Sequence, residues 1–169
     1  MDFFNIDRRI IDLNSKDMFS IETFTTLQQI SGNKIDEKNK MVYDYPLIEL
    51  DQCSRNMSMY EGEGVWNAIS GSEYIQEKLR RGTCFGELDH PDANCDRERF
   101  MKVYKPNVSH RNVNIKRQGN HVFGDVQFVA PQGYIPWDWI TKGINVGMSI
   151  RILTPNYQEK TDANGNQYI

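Results

Sequence analysis

The sequence of 169 residues lacks several features, and each absence excludes a class of protein. No run of 18 or more apolar residues occurs, so no transmembrane helix is expected. Positive charge is not in excess: 20 Lys and Arg face 23 Asp and Glu, for a net charge of -3. That balance argues against a general nucleic-acid coat or a polybasic membrane binder. The first nine residues, Met1 to Arg9, do not show the basic-then-apolar layout of a secretory signal. Cysteine is scarce and odd in number (Cys53, Cys84 and Cys95), with no Cys-x-x-Cys pair, which points to reduced thiols and synthesis in the cytoplasm. Cys84, His90 and Cys95 are near neighbours, but their spacing matches no common structural zinc pattern, and no metal site is expected. What is present is 38% apolar and 25% charged residues with a mean hydropathy of -0.66, the profile of one polar globular domain.

Texture changes along the chain. Met18, Phe19, Ile21, Phe24, Leu27 and Ile30 fit one apolar face of a helix ending at Ser31-Gly32. A charged, mobile connection is expected over 33–40, so residues 1–40 read as a helical arm and residues 41–169 as the main domain. Met41–Leu50 is rich in strand formers, with Pro46 marking an edge or a break. Val65–Arg81 reads as a helix bent near Gly71 and closed by Gly82. Strands are expected over Cys84–Leu88, Phe100–Tyr104, Asn107–Lys116, His121–Ala130 and Val146–Leu153. A hairpin turn is expected at 117–120 and a short helix over Ile135–Lys142. The order suits an α+β domain, a mostly antiparallel sheet or small barrel flanked by helices.

Only three histidines occur: His90, His110 and His121. His90 stands where a strand gives way to a turn among acidic neighbours. That suits a general base, and equally an ordinary surface histidine. Ser149 lies in Gly147-Met148-Ser149-Ile150-Arg151, where a glycine permits close backbone approach. A nucleophilic serine needs a base within reach and donors aimed at the developing oxyanion, but Gly-x-Ser by itself equally fits a plain strand serine. Lys102, Lys105, Arg111, Lys116 and Arg117, with Tyr104, form a modestly basic stretch that reads as a solvated face rather than a specific nucleic-acid site.

Taken together and in order, five stretches carry a resemblance. They are Asn56-Met57-Ser58-Met59-Tyr60, Gly86-Glu87-Leu88-Asp89-His90-Pro91, Val108-Ser109-His110, Gly124 to Gly133, and Gly147-Met148-Ser149-Ile150-Arg151. The chain resembles the prohead (capsid maturation) proteases of tailed bacteriophages, which share a fold with the herpesvirus assembly protease. The likeness spans roughly residues 41–153.

The resemblance implies a herpesvirus-protease-like fold and a serine endopeptidase that needs no cofactor. Ser149 would be the nucleophile and His90 the base. His110 would be the orienting third member, with Asp89, Asp125 and a residue of a missing C-terminal part as rivals. Arg151 and Gly147 would support the oxyanion. Substrates would be the scaffold protein, the major capsid protein and other prohead proteins, inside the immature head in the host cytoplasm, with a processed form retained in the virion. Homo-oligomers, as dimers or at assembly interfaces, are in keeping with the family, and no membrane partner is implied. Related enzymes cut after an aliphatic-x-acidic pattern, which Leu47-Ile48-Glu49 and Ile75-Gln76-Glu77 match. Ile150 stands where the family has a second serine, and Ile152-Leu153-Thr154-Pro155 replaces its glycine-rich continuation. These departures motivate the alternative of a non-catalytic structural head protein. Family members usually continue beyond the serine strand, and Asp162–Asn166 reads as a hairpin turn whose second strand has only begun at Gln167. A truncated chain, a processed form or a minimal variant is therefore expected.

Overall fold

The computed structural model describes residues 10–12, 17–22, 34–52, 59–89, 91, 95–144, 146–148, 151–154, 158–161 and 167–168. In chain order the strands are β1 (Ile10–Asp12), β2 (Asp17–Glu22), β3 (Ile35–Asp36) and β4 (Met41–Glu49). Helices α1 (Gly62–Ser70) and α2 (Glu73–Arg80) precede β5 (Phe85–Glu87), and α3 (Arg97–Met101) precedes β6 (Val108–Gln118) and β7 (His121–Phe128). After α4 (Tyr134–Thr141) come β8 (Arg151–Thr154), β9 (Lys160–Thr161) and β10 (Gln167–Tyr168). The main sheet has five antiparallel strands in the order β3-β4-β7-β6-β5 and is open at both ends among the described residues. A three-stranded sheet runs β1-β2-β8, and β9 pairs with β10. The fold class is α+β.

The core sits on one face of the main sheet. In β7 burial alternates: Val122, Gly124, Val126 and Phe128 point inward, while Phe123, Asp125 and Gln127 do not. Val42, Tyr45, Leu47 and Ile48 of β4 join them, and Ile140 of α4 and Met148 close the cluster. The alternation of β4 is broken by two register shifts against β7, one between Val42 and Tyr45 and one between Pro46 and Ile48. These bulges explain how Pro46, which has no N–H to give, is tolerated in an interior strand. Asp44 sits in the first bulge with φ 52°, and its N–H donates to the Asp125 carboxylate at 3.1 Å.

Turns and caps follow the local chemistry. The bend between α1 and α2 falls at Gly71 and Ser72, and the Ser72 hydroxyl accepts from the Ile75 N–H at 3.3 Å. Gly82 (φ 65°), Gly119 (φ 59°) and Gly143 (φ 75°) close α2, turn the β6–β7 hairpin and end α4.

Several expectations need correction. Asp17–Glu22 is a strand, not the start of a helix: Phe19 and Ile21 alternate with Met18, Ser20 and Glu22, a period of two that pairs antiparallel with β8. The remainder of the expected helix, 23–31, lies outside the described residues. Ile35 and Asp36 form a strand of the main sheet rather than a mobile connection, because Asp36 caps the following turn through the N–H and amide of Asn39. Phe100 falls in a short helix, not a strand. Asp96 accepts from the Arg99 N–H at 2.8 Å and so nucleates α3. The strand expected from Val146 begins at Arg151. The pairing of β9 with β10 is the hairpin expected around Asp162–Asn166.

Gly133 is fixed by space rather than by conformation. Its φ is -68°, but a Cβ would overlap the backbone carbonyls of Ser109 and Val129. Gly119 has positive φ and open space around it. Gly133→Ala is therefore expected to destabilise the chain by about 3 kcal/mol or more, and Gly119→Ala by about 1 kcal/mol, in urea titrations of the two variants. Equal midpoints would contradict this contrast.

Candidate active site

The strongest sequence motif, Gly86-Glu87-Leu88, and the Val108-Ser109-His110 motif lie side by side. β5 pairs antiparallel with β6, with Gly86 opposite His110 and Glu87 opposite Val108. On its other side His110 is opposite Phe128 of β7. Directly paired residues share a face of the sheet, so Gly86, His110 and Phe128 form one cross-strand row. A Cβ on residue 86 would collide with Nε2, Cε1 and Cδ2 of His110. The glycine thus supplies the room in which the imidazole lies across β5. The Phe128 ring stands 6.3 Å from that imidazole and 6.0 Å from Trp137.

The imidazole is tied at one nitrogen: Nδ1 is 2.9 Å from the hydroxyl of Ser109, a residue only 1% exposed. Burial pushes the His110 pKa down to about 4, so the ring is neutral at pH 7. Ser109 is packed from below by the turn after β7. Its carbonyl accepts from the Val129 N–H at 2.9 Å, and Gly133 abuts the same carbonyl.

Glu87 has a structural task that the sequence did not reveal. Its side chain is 3% exposed and forms a two-toothed pair with Arg99, at 3.0 and 2.5 Å, and it also accepts from the Tyr104 N–H at 3.0 Å. A buried carboxylate is tolerable only with such partners. The pair ties the stretch from α3 to Tyr104 against β5, and Leu88 donates its N–H to the Asn107 carbonyl at 2.9 Å. The signal available in sequence was a motif glutamate followed, 12 residues on, by an arginine in a capped helix.

The chain entering the Ser149 motif is also anchored. The Tyr45 hydroxyl donates to the Val146 carbonyl at 2.7 Å, burial pushing that phenol's pKa up, and Met148 is 8% exposed within the core. Gly147 is exposed. Arg151 is opposite Glu22 in the β2–β8 pairing. His90 and Ser149 lie outside the described residues, as does Ile150.

The rival carboxylates differ. Asp89 is exposed on the bend after β5. Asp125 lies on the face of β7 away from Phe128 and hence from His110. It accepts from the Asp44 N–H and from the Asn114 amide at 3.2 Å. His121 is exposed, 3.6 Å from Glu49 and stacked on Phe123. In the basic stretch, Lys102 pairs with Glu98, Lys116 with Asp44, Arg117 with Glu63 at 2.7 Å, and Arg111 with Gln127 at 2.8 Å. Among the described residues no group of three His, Cys, Asp or Glu could hold a metal ion. Burial also pushes the Cys84 thiol up, away from reactivity.

This arrangement is similar in fold to a solved structure, that of the bacteriophage T4 capsid assembly protease, gp21, with a TM-score of 0.58 over 89% of this chain and 88% of that one, at 16% identity. No family model and no curated protein matches the sequence. The two chains thus share a fold.

Two predictions follow from the His110 pocket. An unfolded histidine takes up a proton near pH 6.5, whereas folded His110 refuses it until about pH 4. Stability should therefore fall as pH drops from 6.5 to 4, by up to roughly 3 kcal/mol from this group, and the group adds no slope above that window. Chemical denaturation at pH 7 and pH 5 should show a smaller difference in His110→Gln than in the unsubstituted chain. Gly86→Ala should expel the ring from β5, and histidine NMR should then report a His110 pKa that has risen toward the ordinary value.

Proposed function

We propose that this chain is a serine endopeptidase of phage head maturation that acts on scaffold, major capsid and other prohead proteins within the assembling head. The observation that carries the reading is the fold it shares with a capsid assembly protease, in a chain whose five motifs follow the order of that enzyme class. Support also comes from the β5–β6 pairing, which brings the strand leading toward His90 beside His110, and from the Tyr45 anchor on the segment leading to Ser149.

In this mechanism His90 takes the proton of the Ser149 hydroxyl as its oxygen attacks the scissile carbonyl. Backbone N–H groups around Gly147 and Arg151 stabilise the oxyanion, and His90 returns the proton to the leaving amine. Water then releases the acyl group by the same route in reverse. The group holding His90 in its working orientation is His110 or one of the carboxylates Asp89 and Asp125. The choice turns on which nitrogen of His110 carries the proton. No cofactor enters the reaction. The site of action is the prohead in the host cell, and self-assembly into oligomers there would raise the local concentration of enzyme and substrate. The aliphatic-x-acidic stretches at 47–49 and 75–77 lie in β4 and α2, where regular backbone resists cutting.

A second reading rests on Ile150 and Ile152, which stand where the enzyme class has serine and glycine-rich sequence. On that reading the chain is a head component that keeps the fold without the chemistry.

Co-expression with scaffold and major capsid protein separates the two. Cleavage by the unsubstituted chain is expected, with Ser149→Ala and His90→Ala each slowing it by roughly 10³-fold or more. Cleavage by Ser149→Ala at the unsubstituted rate would sink the serine mechanism. Incorporation into heads with no cleavage by any form would establish the second reading.

A further inference from the structure

We infer that Ser109 is a positioning residue whose hydroxyl donates to His110 Nδ1, holding the ring as the tautomer with its proton on Nε2. His110 then serves the site as a hydrogen-bond donor across Gly86 and not as a proton acceptor. The inference rests on the proteolytic reading only for its catalytic consequence; the tautomer itself is a property of the folded chain.

The Ser109 hydroxyl is buried, and among the described residues its one hydrogen-bond partner is His110 Nδ1 at 2.9 Å. A neutral imidazole has one N–H and one lone pair. If Nδ1 held the proton, it would donate to the serine oxygen, and the buried hydroxyl hydrogen would have no acceptor. A buried donor left unpaired is disfavoured, because folding has stripped it of water without giving it a partner. If the hydroxyl donates to Nδ1, hydroxyl and Nδ1 are both satisfied and the proton sits on Nε2, which, unlike the Ser109 hydroxyl, is not sealed off: Nε2 is not one of the buried unpaired polar atoms of the described residues. The ring cannot easily turn over to exchange its nitrogens. It is flanked by the Phe128 ring and lies in the space left by Gly86, with the Nε2–Cε1 edge against that strand.

The consequence concerns the third member of the catalytic set. A base histidine that takes a proton at one nitrogen must donate from the other, so its orienting partner has to be an acceptor. With its proton on Nε2, His110 cannot accept there. On the proteolytic reading, the acceptor facing His90 then falls to another group, such as a carboxylate.

Nitrogen-15 NMR of the histidine rings in the full chain at pH 7 tests this directly. A protonated Nε2 and an unprotonated, hydrogen-bonded Nδ1 for His110 are expected. In Ser109→Ala, which removes one oxygen and adds no bulk, the Nδ1 signal should lose its hydrogen-bond shift and a population with Nδ1 protonated should appear. A proton on Nδ1 in the unsubstituted chain overturns the inference, as does a ring signature unchanged by Ser109→Ala. On scaffold cleavage, Ser109→Ala should lower kcat about five-fold with KM unchanged, the scale of one hydrogen bond. An increase in kcat would mean that freeing Nδ1 helps, and that His110 is the acceptor after all. Failure of the proteolytic reading would show as absent cleavage with the tautomer result intact.

Discussion

The His110 imidazole occupies the volume that any side chain on residue 86 would need. That constraint organises the end of the sheet. It requires glycine on the edge strand, brings β5 into register with β6, and sets the ring against Phe128, which itself packs on Tyr45 and Trp137. Tyr45 in turn grips the Val146 carbonyl, so the segment approaching Ser149 is fastened to the same aromatic cluster. Three motifs that are far apart in sequence therefore share one packing solution. A disturbance at Gly86 should reach the serine segment through side chains in contact, without any long-range movement of the backbone.

How the sequence announced this structure varied with the kind of force involved. The β6–β7 hairpin and the Gly71 bend rest on local signals, a positive-φ glycine in one and a serine cap in the other, and both could be read from a few residues. Phe100–Tyr104 could not. Its apolar and aromatic residues resemble a strand, but Asp96 caps a helix there and Glu87 holds its Arg99 from another part of the chain. Asp17–Glu22 is short enough that the helical and extended patterns both fit, and a partner some 130 residues away decides. The candidate site showed the same division. His110 and its motif were visible, whereas the hydroxyl beside it read as part of a tripeptide and the glycine opposite as part of a signature. Their shared role depends on pairing between strands, which no linear pattern states.

The fold and the reaction proposed for it stand on different ground. The shared architecture with a capsid assembly protease is a matter of backbone superposition. The chemistry depends on how a few side chains divide donors and acceptors among themselves, and a buried serine next to a histidine changes that division by one proton. A histidine close to a site is therefore not by that fact a member of its relay; the neighbour on its far nitrogen decides what it can offer.

The ends of the main sheet have a consequence of a different kind. β3 contributes two residues and β5 three, and β5 is followed by a buried ion pair that straps the chain across its end. These short strands cover only Met41 and Val42 of β4 and the first residues of β6, Val108 to Arg111, so among the described residues most of each longer strand's outer edge is not paired with another strand. In a crowded interior, where copies of one chain are pressed together at high concentration, long bare margins would zip together into aggregates. The two bulges of β4 and the ion pair beside β5 interrupt these margins, which favours association through specific surfaces over unselective zipping.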